Sequence, residues 1–262
     1  MQVDFGNVAK LYALYRNDLP GELLKTLKLR GVKLTGKKVV DLGAGTGVLS
    51  RALYKEGAEV IGIEPSKELI EEALKIDQSE GFHITYENTY SEDTFLPKQT
   101  FDYVMVLRAW HWFDSAKTLQ EINRIIKENG KLIIMDSGFT AESDIVKDTL
   151  SLIRQYMPNQ ELKRSGSKSK SKQLINSFPV EWFKEWEENK FDLQETYKFY
   201  YHVVFSNKEW CGRVGSLSWL SHFSPNERKD ILNELYKHLK QRYGEVQHNI
   251  QHGCYVTILN RI

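Results

Sequence analysis

The chain has 262 residues, of which 41% are hydrophobic and 27% charged, and its formal net charge is +1. These values are typical of a globular protein, so they exclude wholesale disorder, and the near-zero charge gives no general attraction to nucleic acid or anionic membranes. The two cysteines, Cys211 and Cys254, are far apart. This excludes a disulfide framework, a cysteine zinc site and an iron–sulfur cluster, and it is typical of a reducing cytosol.

The start of the chain lacks the basic and then apolar pattern of a signal peptide, and no apolar run nears the length of a membrane span. We therefore expect a cytoplasmic protein with no membrane partner, and a monomer by default.

In chain order, the first half alternates apolar strands with amphipathic helices. Two short helices divided by Pro20-Gly21 are expected over residues 8–28. Helices also follow the first, second and fourth strands; Ser66 caps the second of these and Asn129-Gly130 ends the third. Such alternation implies a parallel sheet with right-handed crossovers. The predicted strands are 37–42, 59–63, 82–86, 101–107 and 131–136.

After Asp136 this alternation stops. The basic stretch 163–172, in which Ser and Gly interrupt the lysines, is expected to be a solvated, mobile loop and not a nucleic-acid contact. Strands are predicted at 191–205 and 253–259. The predicted helices are 141–157, 180–188, 207–215 and 226–242.

The strongest motif is Val40-Asp41-Leu42-Gly43-Ala44-Gly45-Thr46-Gly47, between a predicted strand and a predicted helix. A doubly wound sheet places its ligand crevice at such a junction. Glycines at alternate positions let the backbone approach a bound molecule without Cβ clashes, and the following helix N-terminus offers free N–H groups. The alternative is a tight turn with no ligand.

The spacing and charge of this motif differ from those of the dinucleotide fingerprint G-x-G-x-x-G, which places pyrophosphate at the helix N-terminus. Asp41 would repel a pyrophosphate, whereas S-adenosylmethionine (SAM) carries a sulfonium and an ammonium that a carboxylate favours. Glu64, at the end of the second strand, can accept hydrogen bonds from both ribose hydroxyls. Its alternative is a solvated charge at a strand end. Pro65 lies beside the expected adenine face.

These residues resemble the successive motifs of class I SAM-dependent methyltransferases, and most of all the small-molecule group that includes the methyltransferase type 11 and trans-aconitate methyltransferase-like enzymes. The resemblance covers residues 8–136 well and the remainder in outline. It implies a Rossmann-like α/β fold with a seven-stranded, mostly parallel sheet and helices on both faces. The last strand would be antiparallel and inserted between strands five and six. The motifs that carry it are 41–47, 64–65, 89–92, 101–104 and 109–113.

The resemblance also implies one domain over residues 1–262. Its core would be 30–140, 191–206 and 253–262. Residues 141–190 and 207–243 would be lid insertions around the substrate, and 8–28 would be N-terminal cap helices.

By position in the family motifs, Ser91 and Glu92 would hold the adenine edge, and Arg108 and Ala109 would line the methionine part of SAM. Family members often carry Tyr-x-x-Tyr-Arg-Pro in the N-terminal helix; this sequence has Asn17 in place of the proline. No metal is expected, and the product would be S-adenosylhomocysteine. The full predicted SAM set is Tyr12, Arg16, Asp41, Gly43, Ala44, Gly45, Gly47, Glu64, Pro65, Ser66, Ser91, Glu92, Arg108 and Ala109.

The acceptor site is predicted from Trp110-His111-Trp112, which follows the fourth strand. Aromatic faces can stabilise a sulfonium, and a histidine can accept a proton from a hydroxyl or amine nucleophile. A carboxylate nucleophile needs no base, so His111 could instead shape the pocket, or the three residues could only pack the strand end. The segment Ser216-Leu217-Ser218-Trp219 resembles a serine-rich turn at this position in relatives, and Ser218 or Trp219 could meet the acceptor.

The sequence thus predicts methyl transfer to a small molecule, with O-methylation of a carboxylate or hydroxyl favoured over N-methylation. No N/D-P-P-Y/F segment follows the fourth strand, which argues against amino methylation of adenine in nucleic acid. No Pro-Cys follows it either, so covalent C5 methylation of pyrimidines lacks its nucleophile. Two alternatives stay open. One is a SAM-binding regulator without turnover, and the other is an NAD-dependent dehydrogenase.

Overall fold

The computed structural model describes residue 15 and residues 18–157, 165–217, 219–220 and 223–262. Tyr12, Arg16 and Ser218, three of the predicted site residues, lie outside these ranges.

Strands and helices alternate through the first half of the described chain, as predicted. In the first and fourth strands, successive apolar side chains are buried on both faces, as a parallel sheet covered by helices requires. The elements are α1 (Leu23–Leu29), β1 (Lys38–Leu42), α2 (Val48–Lys55), β2 (Glu59–Ile63), α3 (Lys67–Glu80), β3 (Thr85–Glu87), β4 (Phe101–Leu107), a 3-10 helix (Trp110–Trp112), α4 (Ser115–Ile125) and β5 (Ile126–Phe139).

The second half adds two long strands and four α-helices. The elements are α5 (Asp144–Gln155), a 3-10 helix (Gly166–Lys170), the short strands β6 (Leu174–Ile175) and β7 (Phe178–Pro179), α6 (Val180–Glu188), β8 (Phe191–Ser206), α7 (Asn207–Gly215), α8 (Pro225–Tyr243) and β9 (Gln247–Arg261). Serine side chains cap α7 and α8 in capping boxes, at Ser206 and Ser224.

The seven-stranded sheet has the order β3-β2-β1-β4-β5-β9-β8. The pairs among β1 to β5 are parallel. Along β5 and β9 the contacts run in opposite directions, since Lys131 reaches Asn260 and Thr140 bonds to Gln251. The last strand is therefore antiparallel and lies between β5 and β8, which confirms the predicted fold class.

The C-terminal end of α4 differs from the prediction, which placed it at Asn129-Gly130. Helix α4 ends at Ile125, before Asn129-Gly130, because Ile126 already pairs with Phe101 at the start of the β4–β5 ladder. Asn129 instead adopts φ 60°, and an added Cβ at Gly130 would lie 2.5 Å from Ile126 Cγ1. The Asn-Gly pair thus lies at a shift in the register of the β4–β5 ladder.

The chain separates into two compact units. One contains residues 19–137, 166–199 and 254–262, and its core joins the sheet to an aromatic group that includes Phe178, Trp182 and Trp186. The other contains residues 138–165 and 200–253 with Tyr15 and Asp18, and its core packs α5, α7 and α8 around the fully buried Trp210.

Candidate functional site

The glycine loop after β1 requires glycine for two reasons. Gly43, Gly45 and Gly47 have φ values of 72°, 57° and 77°, which L side chains rarely adopt. Space is also lacking, because an added Cβ would lie 2.5 Å from Ala109 Cβ at Gly43 and 2.2 Å from the Tyr86 hydroxyl oxygen at Gly47. The backbone therefore forms a cradle that a side chain would fill.

Glu64 closes this cradle from the end of β2. Its Oε2 accepts a hydrogen bond from the Gly45 N–H and its Oε1 accepts one from the Ser66 N–H, both at 2.9 Å. Burial raises the pKa of the Glu64 carboxyl, and the two backbone bonds oppose that rise. An ionised carboxylate offers about four acceptor positions, so two remain for a ligand's hydroxyl groups.

Asp41 lies at the end of β1 and is 1% exposed. Its Oδ2 accepts a hydrogen bond of 2.6 Å from the Ser50 hydroxyl on α2. Burial raises the pKa of Asp41 to about 7, an effect that the Ser50 hydrogen bonds reduce and the nearby Glu64 increases. A cation bound beside Asp41 would relieve this cost by favouring the ionised form.

The residues around the loop fit SAM. The glycine cradle lets a ligand lie close to the backbone. The carboxylate of Asp41 suits the cationic methionine end of SAM, and the carboxylate of Glu64 suits its ribose. In addition, the buried hydroxyl of Thr46 has no hydrogen-bond partner within the part of the chain that the structure describes. A buried polar atom of this kind indicates a partner that the protein itself does not supply.

The other predicted adenosine residues lie beside the ends of β2 and β3. Pro65 is exposed, and Ser66 caps α3 by accepting from the Leu69 N–H. Ser91 lies within hydrogen-bond distance of Thr118 at 3.0 Å, and Glu92 accepts from the Asp114 N–H at 2.9 Å. These two side chains thus connect the loop after β3 to the start of α4.

The segment after β4 brings aromatic and cationic groups together. Arg108 has φ 61°, a strained value for a non-glycine residue, while its N–H donates to the Met135 carbonyl. Trp110 lies in the core, 2% exposed, and its ring contacts Trp186. His111 and Trp112 are half-buried, with ring centroids 4.8 Å apart.

The prediction of a solvated, mobile loop at 163–172 is wrong for residues 165–172, the part of this stretch that the structure describes. Residues Gly166–Lys170 form a 3-10 helix, and Lys168 is only 6% exposed. Its ammonium pairs with the carboxylate of Asp136 in β5 and lies 5.7 Å from the Phe178 ring centroid. An ion pair and cation–π contact together outweigh the solvation of this one lysine, whereas Lys170 and Lys172 stay exposed.

Sequence reasoning missed Asp136, Lys168 and Tyr86. Asp136 follows the apolar run KLIIM, the same signal of an acidic residue at a strand end that identified Asp41 and Glu64. Lys168 carries no comparable signal, because it is one of several lysines in a low-complexity stretch.

Trp219 lies in the second compact unit, where its ring contacts Phe139. Among the described residues, no group of three or more His, Cys, Asp or Glu side chains is placed to hold a metal ion. No helix within the described ranges has the length and apolar character needed to cross a membrane.

Comparison with known proteins assigns this site to a class. Residues 40–134, which contain the glycine loop, Glu64 and the Trp-His-Trp segment, match the family model described as a methyltransferase domain. Residues 40–134 are thus a methyltransferase domain, and the sheet order is that of the class I fold.

The individual relatives agree with this class. An uncharacterized methyltransferase of Mycobacterium bovis is 29% identical over 133 residues, which is 50% of this chain and 51% of the relative. A ubiquinone biosynthesis O-methyltransferase of Actinobacillus pleuropneumoniae is 34% identical over 125 residues, or 43% of this chain and 53% of the relative. The chain thus spans about half the length of the curated relatives that it matches.

Among solved structures, a SAM-dependent methyltransferase of Aquifex aeolicus has a TM-score of 0.55. It is 16% identical in sequence, and the alignment covers 99% of both chains. At this identity the similarity shows a shared fold.

Proposed function

We propose that this protein transfers the methyl group of SAM to a small-molecule acceptor, and that O-methylation is its reaction. The observation that carries the proposal is the carboxylate of Glu64. It is fixed by two backbone N–H groups beside a glycine cradle and keeps acceptor positions for two ribose hydroxyls. The A. pleuropneumoniae relative is named an O-methyltransferase, which supports oxygen as the nucleophile.

In this proposal the residues have separate tasks. Asp41 faces the cationic methionine end, Glu64 holds the ribose, and Ser91 and Glu92 bind the adenine edge. The bound SAM supplies an activated methyl group on a sulfonium. His111 and Trp112, after β4, line the acceptor and align its nucleophile, since in-line displacement depends chiefly on orientation.

The first test is calorimetric titration with SAM, S-adenosylhomocysteine and NADH. Glu64→Ala removes the ribose acceptor and should weaken SAM binding at least about a hundredfold, because each of the two hydrogen bonds to this charged group contributes about 1.5–3 kcal/mol. NADH should not bind, since Asp41 opposes a pyrophosphate.

Glu59→Ala is the matched control, because Glu59 is an exposed glutamate at the opposite end of the same strand β2. It should bind SAM like the wild type. Binding of NADH in place of SAM would favour the dehydrogenase, and equal SAM affinity in the Glu64→Ala variant would remove the proposed ribose contact.

A further inference from the structure

Three consecutive residues contact two groups of the candidate site. Gly166 and Ser167 contact His111, and Lys168 contacts Asp136 of β5. Gly166 packs so tightly that an added Cβ would lie 2.0 Å from the His111 carbonyl oxygen and 3.2 Å from its ring carbon Cδ2. The Ser167 hydroxyl donates to the same carbonyl at 3.3 Å, and the Lys168 ammonium pairs with Asp136. His111 and Asp136 are therefore held in one place by one short segment.

The sheet brings the two residues together from the other side. Leu107 of β4 pairs with Met135 of β5, so Arg108, just past the end of β4, and Asp136, three residues before β5 ends, follow neighbouring positions. The 3-10 helix containing His111 begins two residues beyond Arg108. The register and the shared segment 166–168 thus place His111 and Asp136 in the same part of the molecule, and the positive charge of His111 acts on the Asp136 carboxylate.

The charges around Asp136 determine whether its carboxyl group is ionised. Burial raises the pKa of the Asp136 carboxyl, but the positive charges of Lys168, His111 and Arg108 outweigh burial and hold that pKa below its usual value. The thiol of Cys254 also faces this group, and burial raises the pKa of that thiol to about 12, so it stays neutral. Asp136 is thus an ionised carboxylate at neutral pH that interacts with His111.

An ionised carboxylate beside an imidazole stabilises the imidazolium. We infer that Asp136 keeps His111 basic, and that His111 takes the proton of a hydroxyl-bearing methyl acceptor. The inference rests on the proposed methyl transfer and narrows its acceptor, because a carboxylate acceptor has no proton to lose and would gain nothing from a base.

The proton balance of the step is simple. The acceptor oxygen forms a bond to the methyl carbon, the carbon–sulfur bond breaks with its electron pair passing to sulfur, and the hydroxyl proton passes to His111. Asp136 and Lys168 are positioning residues, since they act through His111. Lys168 opposes Asp136 electrostatically, so the two should change the basicity of His111 in opposite directions.

The test is a pH titration of the histidine ring signals by NMR on the protein without SAM, so that it is independent of methyl transfer. The sequence has seven histidines, and His111→Gln assigns the signal. In the wild type His111 should titrate above the usual histidine pKa of about 6.5. Asp136→Asn should lower its pKa by about one unit, and Lys168→Met should raise it.

The exposed His83 is the internal control and should not move in either variant. Loss of structure would disturb all signals and would not produce opposite shifts at one histidine. If Asp136→Asn does not fold, Lys168→Met decides alone. An unchanged or lower His111 pKa in Lys168→Met, or an unchanged one in a folded Asp136→Asn, overturns the inference. If the protein binds SAM but the two variants do not change the His111 pKa as predicted, this inference alone is refuted. If they change it as predicted but the protein does not bind SAM, the proposed function is refuted.

Discussion

At the scale of single residues, the site depends on carboxylates that the fold makes costly to ionise. Asp41 is buried, and its pKa of about 7 lies well above the value of 3.8 that it has in an unfolded chain. The folded state therefore binds this proton more tightly than the unfolded state. As pH rises from about 4 to 7, Asp41 lowers the free energy of unfolding by an amount on the order of 4 kcal/mol.

This ionisation should make SAM binding depend on pH. If the cationic methionine end needs the charged form of Asp41, SAM affinity should rise roughly tenfold between about pH 6 and about pH 7.5, as the ionised fraction grows. Calorimetry at several pH values measures it.

Asp41→Asn provides the control for this prediction. It should bind SAM weakly at every pH and, with no carboxylate to desolvate, should raise the melting temperature more at pH 8 than at pH 5. A wild-type affinity that is flat over this range, or an Asn variant with the same slope, would contradict the role of Asp41.

At the scale of elements, the junction of β1 and α2 is set by its contacts across the sheet. Gly47 caps α2 with φ 77°, and Tyr86 of β3 reaches over Gly62 of β2 to touch it. The position of the glycine loop thus depends on three strands and not on the loop sequence alone.

Two features require glycine at position 47, its left-handed backbone conformation and the lack of space for a Cβ, and the Gly47→Ala variant tests both. The left-handed conformation costs about 1–2 kcal/mol for alanine, and the collision with Tyr86 and Arg51 adds about 1–3 kcal/mol. Gly36→Ala is the matched control, because Gly36 has φ 70° and nothing within 4 Å of an added Cβ. Denaturant unfolding of the two variants measures the difference.

The Tyr86→Phe background tests the collision directly. Removing the hydroxyl, the nearest atom, should restore part of the stability and of the SAM affinity that Gly47→Ala loses. Equal destabilisation by Gly47→Ala and Gly36→Ala would show that packing against Tyr86 has no effect.

The elements also show where sequence patterns suffice. β4 and α6 match their predicted bounds, because the spacing of their apolar residues, the burial of those residues and the residues at each end all favour the same element. The end of α4 was wrong because pairing of Ile126 with Phe101, a contact distant in sequence, outweighs the local Asn-Gly signal. The glycine loop, Asp41 and Glu64 are local and could be predicted. Lys168 could not, since its burial depends on Asp136, 32 residues away in the chain.

At the scale of the whole molecule, the domain matched by the family model contains all the predicted cofactor residues except Tyr12 and Arg16, and the predicted insertions belong mostly to the second compact unit. The motifs at the strand ends are local in sequence and therefore predict the methyl donor, whereas the predicted insertions carry no comparable motif for the acceptor.

The most direct test of methyl transfer is a turnover measurement. The protein is incubated with SAM and a panel of alcohols, phenols, carboxylic acids and amines, and S-adenosylhomocysteine and methylated products are quantified by mass spectrometry. The account predicts equal amounts of S-adenosylhomocysteine and an O-methylated hydroxyl compound, with both lost in Glu64→Ala. Tight SAM binding without S-adenosylhomocysteine above the enzyme-free blank for any of these classes would contradict methyl transfer and favour a SAM-binding regulator.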